Sequence, residues 1–255
     1  MEISVIGMGV VGTATADCFR RLGHDVSCAD IASDKLKELE KRGFKVSSAA
    51  QGADVHFICT PENAIDDVLT QLKGLPGLPV VRSTTAPGTV QSLMQKYDTH
   101  ICGNPEFLRA ATALEDALNP WRVVIGECCP SHGKFLEELY KPLMAPIVRV
   151  NPTTAEMTKL TCNAYLAMLI SYFNEIHQIC NRIGVNSHVV GKIASMDPRI
   201  STYGAIQHSK PYRGRCLPKD INALIEFSQS HGVDPILLKA VGKINLKMMN
   251  QRGEL

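Results

Sequence analysis

The feature that most constrains the fold is a glycine-rich turn near the start of the chain. A short β-branched run, residues 2–6, leads directly into Gly7, Gly9 and Gly12, and a helical pattern follows. In this arrangement the first glycine permits a tight turn, the second lets a diphosphate approach the backbone, and the third lets the helix pack closely on the strand. The order of strand, glycine turn and helix predicts a βαβ unit that binds a dinucleotide.

A carboxylate at the expected position supports this prediction. Asp30 follows the second predicted strand, residues 25–29, where it can accept hydrogen bonds from both hydroxyls of an adenosine ribose. It would also repel a 2′-phosphate, so the sequence favours NAD over NADP. The alternative is an ordinary βαβ turn with an exposed aspartate. The candidate NAD-binding residues are Gly7, Met8, Gly9, Val10, Val11, Gly12, Asp30, Lys35, Thr60, Pro61, Ser83 and Thr84.

Strands and helices alternate through the first 150 residues. After the first two strands, the sequence predicts five more, at residues 54–59, 78–83, 100–103, 122–125 and 147–150. This alternation predicts an α/β fold with a doubly wound parallel sheet of the Rossmann type, in which ligands bind at the carboxyl ends of the strands. We therefore expect an NAD-binding domain at residues 1–150.

Residues 153–183 have the pattern of a single helix of about 30 residues, roughly 45 Å long. Thr153 and Glu156 have the spacing of a capping box, and Gly184 marks the end. Apolar residues cover several sides of the middle of this helix, so we expect it to lie between two bodies of protein or two subunits. The sequence thus predicts an all-α dimerisation domain at residues 151–255, built on this helix.

Polar residues in this second half are candidates for chemistry. Lys159 and Asn163 lie one helical turn apart, and because a buried ammonium is costly without a partner, they indicate a site facing a polar cavity. Alternatively, Lys159 extends to solvent near the helix start and Asn163 fills a local packing defect. Cys216 stands at or just before the start of another helix, with Pro218 in its first turn and Asp220 one turn on. A thiol in this setting, beside basic residues, is a candidate nucleophile.

Composition argues against several classes of function. The formal net charge is +2, with acidic and basic residues in near balance, so we expect neither nucleic acid nor a membrane surface as a partner. The sequence has no visible signal peptide and no apolar run of membrane-spanning length. Nine cysteines without CxxC spacing indicate reduced thiols in the cytoplasm, and we expect no Cys/His cluster and no metal site.

The motifs together resemble the nucleotide-sugar 6-dehydrogenase family, which includes the UDP-glucose and GDP-mannose dehydrogenases. The resemblance implies NAD-dependent oxidation of the primary alcohol of a nucleotide sugar, in two steps, to a carboxylate. It rests on the glycine turn, Ser83-Thr84, Asn104-Pro105-Glu106-Phe107-Leu108, Glu156-x-x-Lys159-x-x-x-Asn163 and Cys216-x-Pro218-Lys219-Asp220, which occur in the family's order.

The resemblance also implies catalytic roles. Cys216 would attack the intermediate aldehyde and carry the resulting thioester. Lys159 would stabilise the developing oxyanion, with Asn163 as a second donor. Glu106 would be the base for thioester hydrolysis.

Further roles follow from the same resemblance. Thr84 and Asp220 would hold a water for proton transfer in the alcohol step. Arg199 would reach across a homodimer to the neighbouring subunit's substrate, and the long helix would supply the interface. The candidate substrate-binding residues are Glu106, Phe107, Leu108, Arg109, Lys159, Asn163, Arg199, Tyr212, Arg213, Gly214 and Arg215.

Three departures from the family pattern keep alternatives open. Ala110 stands where a glutamate is usual, and Arg213 and Arg215 stand where glycine and serine are usual. The family's nucleotide-gripping third domain would begin about where this sequence stops, as in a truncated chain, a short homologue or half of a split enzyme whose partner chain supplies that domain. Two other functions therefore remain: a single-step β-hydroxyacid-type dehydrogenase and a non-catalytic NAD-binding homologue.

Overall fold

A computed structural model of the chain describes residues 1–207, 210–214 and 216–251. It divides into two compact units, unit 1 at Met1–Lys159 and unit 2 at Leu160–Leu255. Arg215, one of the predicted substrate-binding residues, lies outside the described residues.

Unit 1 is built on one eight-stranded sheet. Across the sheet, neighbouring strands pair in parallel except for the sixth and seventh, which pair in antiparallel fashion. The predicted doubly wound, Rossmann-like α/β fold is confirmed, although its last two strands run opposite to the others. The strands, given in chain order, are β1 (Glu2–Ile6), β2 (Asp25–Ala29), β3 (Lys45–Ser47), β4 (Val55–Ile58), β5 (Leu78–Val81), β6 (Cys102–Gly103), β7 (Val123–Gly126) and β8 (Ile147–Val150), and their order across the sheet is β3-β2-β1-β4-β5-β6-β7-β8.

Helices cover both faces of this sheet because successive strand residues point to opposite sides. On one face, Phe57 stacks on Phe19 with ring centroids 4.8 Å apart, and Tyr140 packs against Phe19 at 5.3 Å. On the other face, Ile58 lies in a second buried apolar cluster with Ile65, Leu69 and Val90. The helices of unit 1 are α1 (Val10–Arg21), α2 (Ser33–Lys41), α3 (Ile65–Leu72), α4 (Thr89–Tyr97), α5 (Ala113–Leu118) and α6 (Pro130–Tyr140).

The long helix α7 (Pro152–Arg182) has 31 residues, begins in unit 1 and continues into unit 2. It begins one residue before the predicted start at residue 153 and ends one residue before the predicted end at residue 183. Unit 2 continues with α8 (Ser187–Ala194), α9 (Thr202–Gln207), α10 (Cys216–Ser230) and α11 (Ile236–Gln251), which confirms the all-α prediction for the second half. Among the described residues no helix, α7 included, combines the length and hydropathy needed to cross a bilayer.

The described residues of unit 2 contain a buried apolar cluster. From α7 it takes Leu160, Ala164 and Ile170, which pack with Ile221 of α10 and Val241 of α11. Leu160 and Ala164 are four residues apart and lie on one helix face, so their packing follows from the sequence pattern.

The start of α7 differs from the prediction. Asn151 Oδ1 accepts the backbone N–H of Thr154 at 2.8 Å, which is a helix-capping contact, whereas Thr153 lies within the helix. The predicted capping box is wrong because the Glu156 carboxylate caps the start of α4 instead. This buried carboxylate accepts hydrogen bonds from Thr85 Oγ1 at 3.0 Å, Gly88 N at 2.6 Å and Val90 N at 2.9 Å.

Candidate functional site

The glycine turn lies between β1 and α1, as predicted. Gly7 has φ = +92°, and a Cβ there would lie 2.8 Å from atoms of Thr60. A Cβ on Gly12 would lie 2.0 Å from the carbonyl oxygen of Gly7, so a side chain there would force the helix away from the turn. Among the described residues, no heavy atom other than those of Gly9 and its two chain neighbours lies within 4 Å of the Cβ position of Gly9, which leaves open space where a diphosphate would approach.

Asp30 connects this turn to the end of β2. Its Oδ2 accepts the backbone N–H of Met8 at 2.6 Å and lies 3.2 Å from Lys35 Nζ, while Oδ1 accepts the N–H of Ala32 at 2.9 Å. Burial acts to raise the pKa of Asp30, but the hydrogen bonds from Ala32, Met8 and Lys35 leave that pKa below its ordinary value. A carboxylate has about four acceptor positions, so these three donors leave roughly one for a ribose hydroxyl.

The remaining NAD-binding candidates gather at the same edge of the sheet. Gly7 N donates to Ala29 O at 2.8 Å, and Ser83 Oγ donates to Thr60 O at 2.5 Å. These contacts join the carboxyl ends of the first, second, fourth and fifth strands. Pro61 follows Thr60, Thr84 follows Ser83, and Val10 and Val11 open α1. The structure therefore places these candidates along one edge of the sheet, and their individual roles in binding NAD stay predictions.

A buried ion pair lies elsewhere in unit 1. Lys159 Nζ is 2.9 Å from Glu106 Oε1, and the two side chains are 5% and 11% exposed. Glu106 Oε2 also accepts the N–H of Leu108 at 2.6 Å, and the Phe107 ring centroid is 5.6 Å from Lys159 Nζ. The alternative in which Lys159 extends to solvent is wrong, because its ammonium is buried and paired with a carboxylate.

Arg82 supports the segment that carries Glu106, a role the sequence did not predict. Its Nη1 donates to Asn104 Oδ1 and, at 3.0 Å, to Tyr140 OH, and all three side chains are buried. Asn104 Nδ2 donates in turn to Val124 O at 2.8 Å. Asn104 and Tyr140 are 22 and 58 residues from Arg82 in sequence, so no local signal could have revealed the network. A pocket along this segment is lined by Glu106, Phe107 and Leu108, among others.

Two predicted substrate-binding arginines already hold carboxylates of this chain. Arg109 Nη2 lies 2.6 Å from Asp116 Oδ1, and its hydrogen bonds lower the pKa of Asp116 to about 2. Arg199, whose side chain is 87% exposed, lies 2.6 Å from Asp197 Oδ2. Each guanidinium binds its carboxylate through Nε and Nη2, so a phosphate that used this same edge would require an exchange of partners.

In unit 2, Asn163 Nδ2 donates to Asp220 Oδ2 at 2.5 Å, and both side chains are buried. Lys219 Nζ lies 3.2 Å from the other oxygen of Asp220. Cys216 is the first residue of α10 and is exposed, so its predicted position at a helix start is confirmed. Asp220 follows one helical turn later, on the same face of α10.

The segment before Cys216 is anchored by Tyr212, which is buried in the core of unit 2. Its N–H donates to Asn245 Oδ1 at 2.8 Å, and Asn245 Nδ2 donates to Tyr212 O at 3.1 Å. Burial raises the pKa of Tyr212 to about 12. Arg213 and Gly214 are exposed, and Gly214 has φ = +80°. The substrate-binding roles assigned to these three residues stay predictions.

Unit 1 also contains a group of side chains that the sequence analysis missed. The ligand atoms of His100, Cys128, Cys129 and His132 all lie within 4.8 Å of one another. The prediction that the chain has no Cys/His cluster is therefore wrong.

Family models match most of the chain. Residues 1–49 and 43–144 match the NAD-binding domain of the UDP-glucose/GDP-mannose dehydrogenase family, and residues 153–247 match the family's central domain. Both matches lie within the halves of the chain that the sequence analysis separated.

Individual relatives agree with the family models. UDP-glucose 6-dehydrogenase TuaD of Bacillus subtilis is 32% identical, and the match covers 96% of this chain and 63% of that protein. GDP-mannose 6-dehydrogenase of Pseudomonas syringae pv. tomato is 31% identical, with 100% of this chain and 70% of the relative covered. The solved structure of a UDP-glucose dehydrogenase from Pyrobaculum islandicum has a TM-score of 0.88 at 28% identity, and the match covers 98% of this chain and 68% of that one. The chain therefore spans about two thirds of the length of such relatives.

Proposed function

Since the chain belongs to the UDP-glucose/GDP-mannose dehydrogenase family, we propose that it oxidises the primary alcohol of a nucleotide sugar to a carboxylate in two steps. Bound NAD would accept a hydride in each step. The observation that carries the proposal is the buried pair of Lys159 and Glu106, 2.9 Å apart. It supplies a fixed positive charge for a developing oxyanion and a carboxylate able to take a proton.

In the alcohol step, the substrate hydroxyl loses a proton as its carbon loses a hydride. Lys159 stabilises the alkoxide by charge, and Asn163 donates a second hydrogen bond. Thr84 and Asp220 hold the water that carries the proton away. Asp220 is suited to this role because its carboxylate is held by Asn163 at 2.5 Å.

In the second half, Cys216 acts as the nucleophile. Its S–H proton is lost as the sulfur forms a bond to the aldehyde carbon, and the carbonyl oxygen takes a proton to give a hemithioacetal. Loss of a hydride and of the hydroxyl proton gives a thioester. Glu106 then takes a proton from water as the water attacks, the carbon–sulfur bond breaks, and the carboxylate and the thiol are released. The exposure of Cys216 at the start of α10 supports this assignment, because an aldehyde can reach the sulfur.

We also propose that the chain forms a homodimer through the helix at residues 153–183. Tyr165, Tyr172 and Ile179 recur every seven residues on one face of α7 and are 51%, 55% and 53% exposed. An apolar stripe of this kind marks a protein–protein contact. Arg199 would reach the substrate of the neighbouring subunit.

The decisive experiment measures NADH released per mole of substrate, with UDP-glucose, GDP-mannose and free sugar phosphates as the panel. We expect two NADH per mole from one of the nucleotide sugars, and loss of net acid formation in Cys216→Ser. One NADH per mole, unaffected by Cys216→Ser, would instead identify a single-step β-hydroxyacid-type dehydrogenase. NAD binding without turnover of any panel member would favour the non-catalytic homologue.

A further inference from the structure

The Cys/His cluster of unit 1, defined as His100, Cys128, Cys129 and His132, has no role in the proposed oxidation. We propose that it is a structural zinc site. The proposal does not depend on the dehydrogenase activity, and it concerns a part of unit 1 that carries none of the predicted catalytic or NAD-binding residues.

The geometry of the cluster is close to that of a four-coordinate metal site. Cys128 Sγ lies 3.2 Å and Cys129 Sγ 3.3 Å from His132 Nδ1, and all four ligand atoms lie within 4.8 Å of one another. With Zn–S bonds of about 2.3 Å and Zn–N bonds of about 2.0 Å, a tetrahedral zinc ion separates its sulfur and nitrogen ligands by about 3.5 Å. Side-chain adjustments of about 1 Å would complete the coordination shell.

The types of ligand atom in the cluster indicate which metal it would bind and what role that metal would have. Two thiolates and two imidazoles in a tetrahedral arrangement suit zinc, whereas magnesium and calcium prefer oxygen ligands. Four protein ligands leave no open position for water or substrate, which is the arrangement of structural rather than catalytic zinc sites.

The position of the cluster in the sheet supports a structural role. Gly103 pairs with Val81 of β5 on one side and with Gly126 of β7 on the other. His100 therefore precedes β6, near the level where β5 begins, and the NAD-binding candidates lie at the opposite, carboxyl ends of β1, β2, β4 and β5. Cys128 and Cys129 follow β7, and His132 is in the first turn of α6. A bound ion would tie the start of β6 to the β7–α6 connection, where the sheet changes direction.

Neighbouring groups can orient the ligands. Cys102 Sγ lies 3.5 Å from Cys128 Sγ, and Ser131 Oγ lies 3.1 Å from Cys129 Sγ. The rings of His100 and His132 meet edge to face, with centroids 4.9 Å apart. His100 is exposed while the other three ligands are half-buried, so an ion can enter from the side of His100.

The test is a titration of the full chain, stripped of metal and kept reduced, with Co²⁺ as a spectroscopic probe. We expect one equivalent of Co²⁺ to produce the absorption bands of tetrahedral cobalt with thiolate-to-metal charge transfer, and Zn²⁺ to displace it. Changes to groups around a metal site cost about 10–100-fold in affinity, so loss of a ligand in Cys129→Ser or His132→Gln should cost more than about 100-fold. Zn²⁺ should raise the melting temperature of the original chain but not of these two variants.

Two control variants keep the proposal falsifiable. Cys216→Ser should retain the cobalt spectrum, which excludes capture of the ion by the exposed thiol. Cys102→Ala should retain the tetrahedral bands with weaker binding, because Cys102 adjoins a ligand without being one. The proposal is overturned if Cys129→Ser, folded by circular dichroism, binds Co²⁺ as the original chain does. The absence of charge-transfer bands would overturn it too. So would a chain that takes up no metal when reduced and forms a Cys102–Cys128 disulfide when oxidised.

Discussion

Unit 1 and unit 2 differ in how completely they cover their own apolar surface. In unit 1 the two sheet faces are packed by helices, and the buried charges of Lys159 and Glu156 each have partners within the unit. In unit 2, Asn163 and Asp220 pair in the interior, but a row of apolar side chains stays at the surface. That row consists of Tyr165, Tyr172 and Ile179 of α7, and on α8 the side chains of Val189 and Ile193 are exposed as well.

The difference shows what each half of the sequence specifies. Unit 1 encodes a core between a sheet and its helices, and its exposed apolar side chains, such as Ile31, Trp121 and Met144, are scattered along the sequence rather than repeated on one helix face. Unit 2 encodes a surface as well as a core, since α7 presents one apolar face inward and another to solvent. The following predictions either sharpen or break this contrast.

The largest effect is expected at the ion pair of unit 1. Lys159→Met leaves the Glu106 carboxylate, 11% exposed, without its partner, and breaking such a buried pair costs about 3–5 kcal/mol. Urea unfolding measures this loss. The double variant Lys159→Met, Glu106→Gln should recover part of the stability because no buried charge is left.

The matched substitution in unit 2 is Asn163→Leu, which leaves Asp220 with Lys219. It removes a hydrogen bond to a charged group and should cost about 1.5–3 kcal/mol. If Asn163→Leu lowers the free energy of unfolding as much as Lys159→Met does, or more, the contrast between the two units is refuted.

The next effect concerns the exposed row on α7. Tyr172→Asp with Ile179→Asp places two charges in the proposed dimer contact and should raise the dimer dissociation constant about 100-fold, or about 2.7 kcal/mol. Sedimentation velocity over a range of chain concentrations measures the shift. Met144→Asp is the control, since Met144 is 93% exposed in unit 1 and should leave association unchanged. An original chain that is monomeric at high micromolar concentration would refute the dimer.

Glu156 tests whether unit 1 depends on its buried carboxylate. Glu156→Gln replaces two acceptor oxygens by one and turns an amide toward backbone donors, so it should lower the free energy of unfolding by about 1–3 kcal/mol. Burial, partly offset by hydrogen bonds from Val90, Gly88 and Thr85, raises the pKa of Glu156 above 4.5.

A pH series separates this effect from packing. Because the folded-state pKa lies above the unfolded value, the folded chain binds the extra proton, and stability falls as pH rises from about 4.5 through the raised pKa. Glu156→Gln should lack this fall, whereas the control Glu138→Gln, at an exposed position, should keep it. An unchanged slope in Glu156→Gln would contradict the assignment.

The smallest effect is expected at the surface pair of Arg109 and Asp116. The folded-state pKa of Asp116 is about 2, against an ordinary value of 3.8, so its contribution is present above pH 4 and is lost as pH falls toward 2. Arg109 is 57% exposed and screened by solvent, which limits the contribution to about 1 kcal/mol. Asp116→Asn should therefore be less stable than the original chain at pH 7 and equally stable near pH 2. A difference in unfolding free energy that persists near pH 2 would show that packing, not charge, is lost.

The sequence predicted those parts of the site that depend on a few neighbouring residues. Gly7, Gly12 and Asp30 could be placed because a tight turn and the end of the next strand fix their positions. Cys216 could be placed at a helix start because Pro218 favours the first turn.

Features made by distant partners escaped prediction. The partners of Glu156 lie 66 to 71 residues before it, so the local spacing of Thr153 and Glu156 suggested a capping box instead. The Cys/His cluster escaped because its fourth ligand, His100, is brought to the sequence neighbours Cys128, Cys129 and His132 by antiparallel pairing of β6 with β7, where alternation had suggested parallel strands throughout.

The hydrogen bonds of Glu156 constrain how this sequence can evolve. They join the turn of α7 that also carries Lys159 to the loop that carries Thr84 and Thr85. A lineage that replaced Glu156 would leave the Thr85 hydroxyl and two backbone amides without their acceptor. Substitutions at positions 85 and 156 should therefore appear together in descendants of this sequence, although the two positions are 71 residues apart.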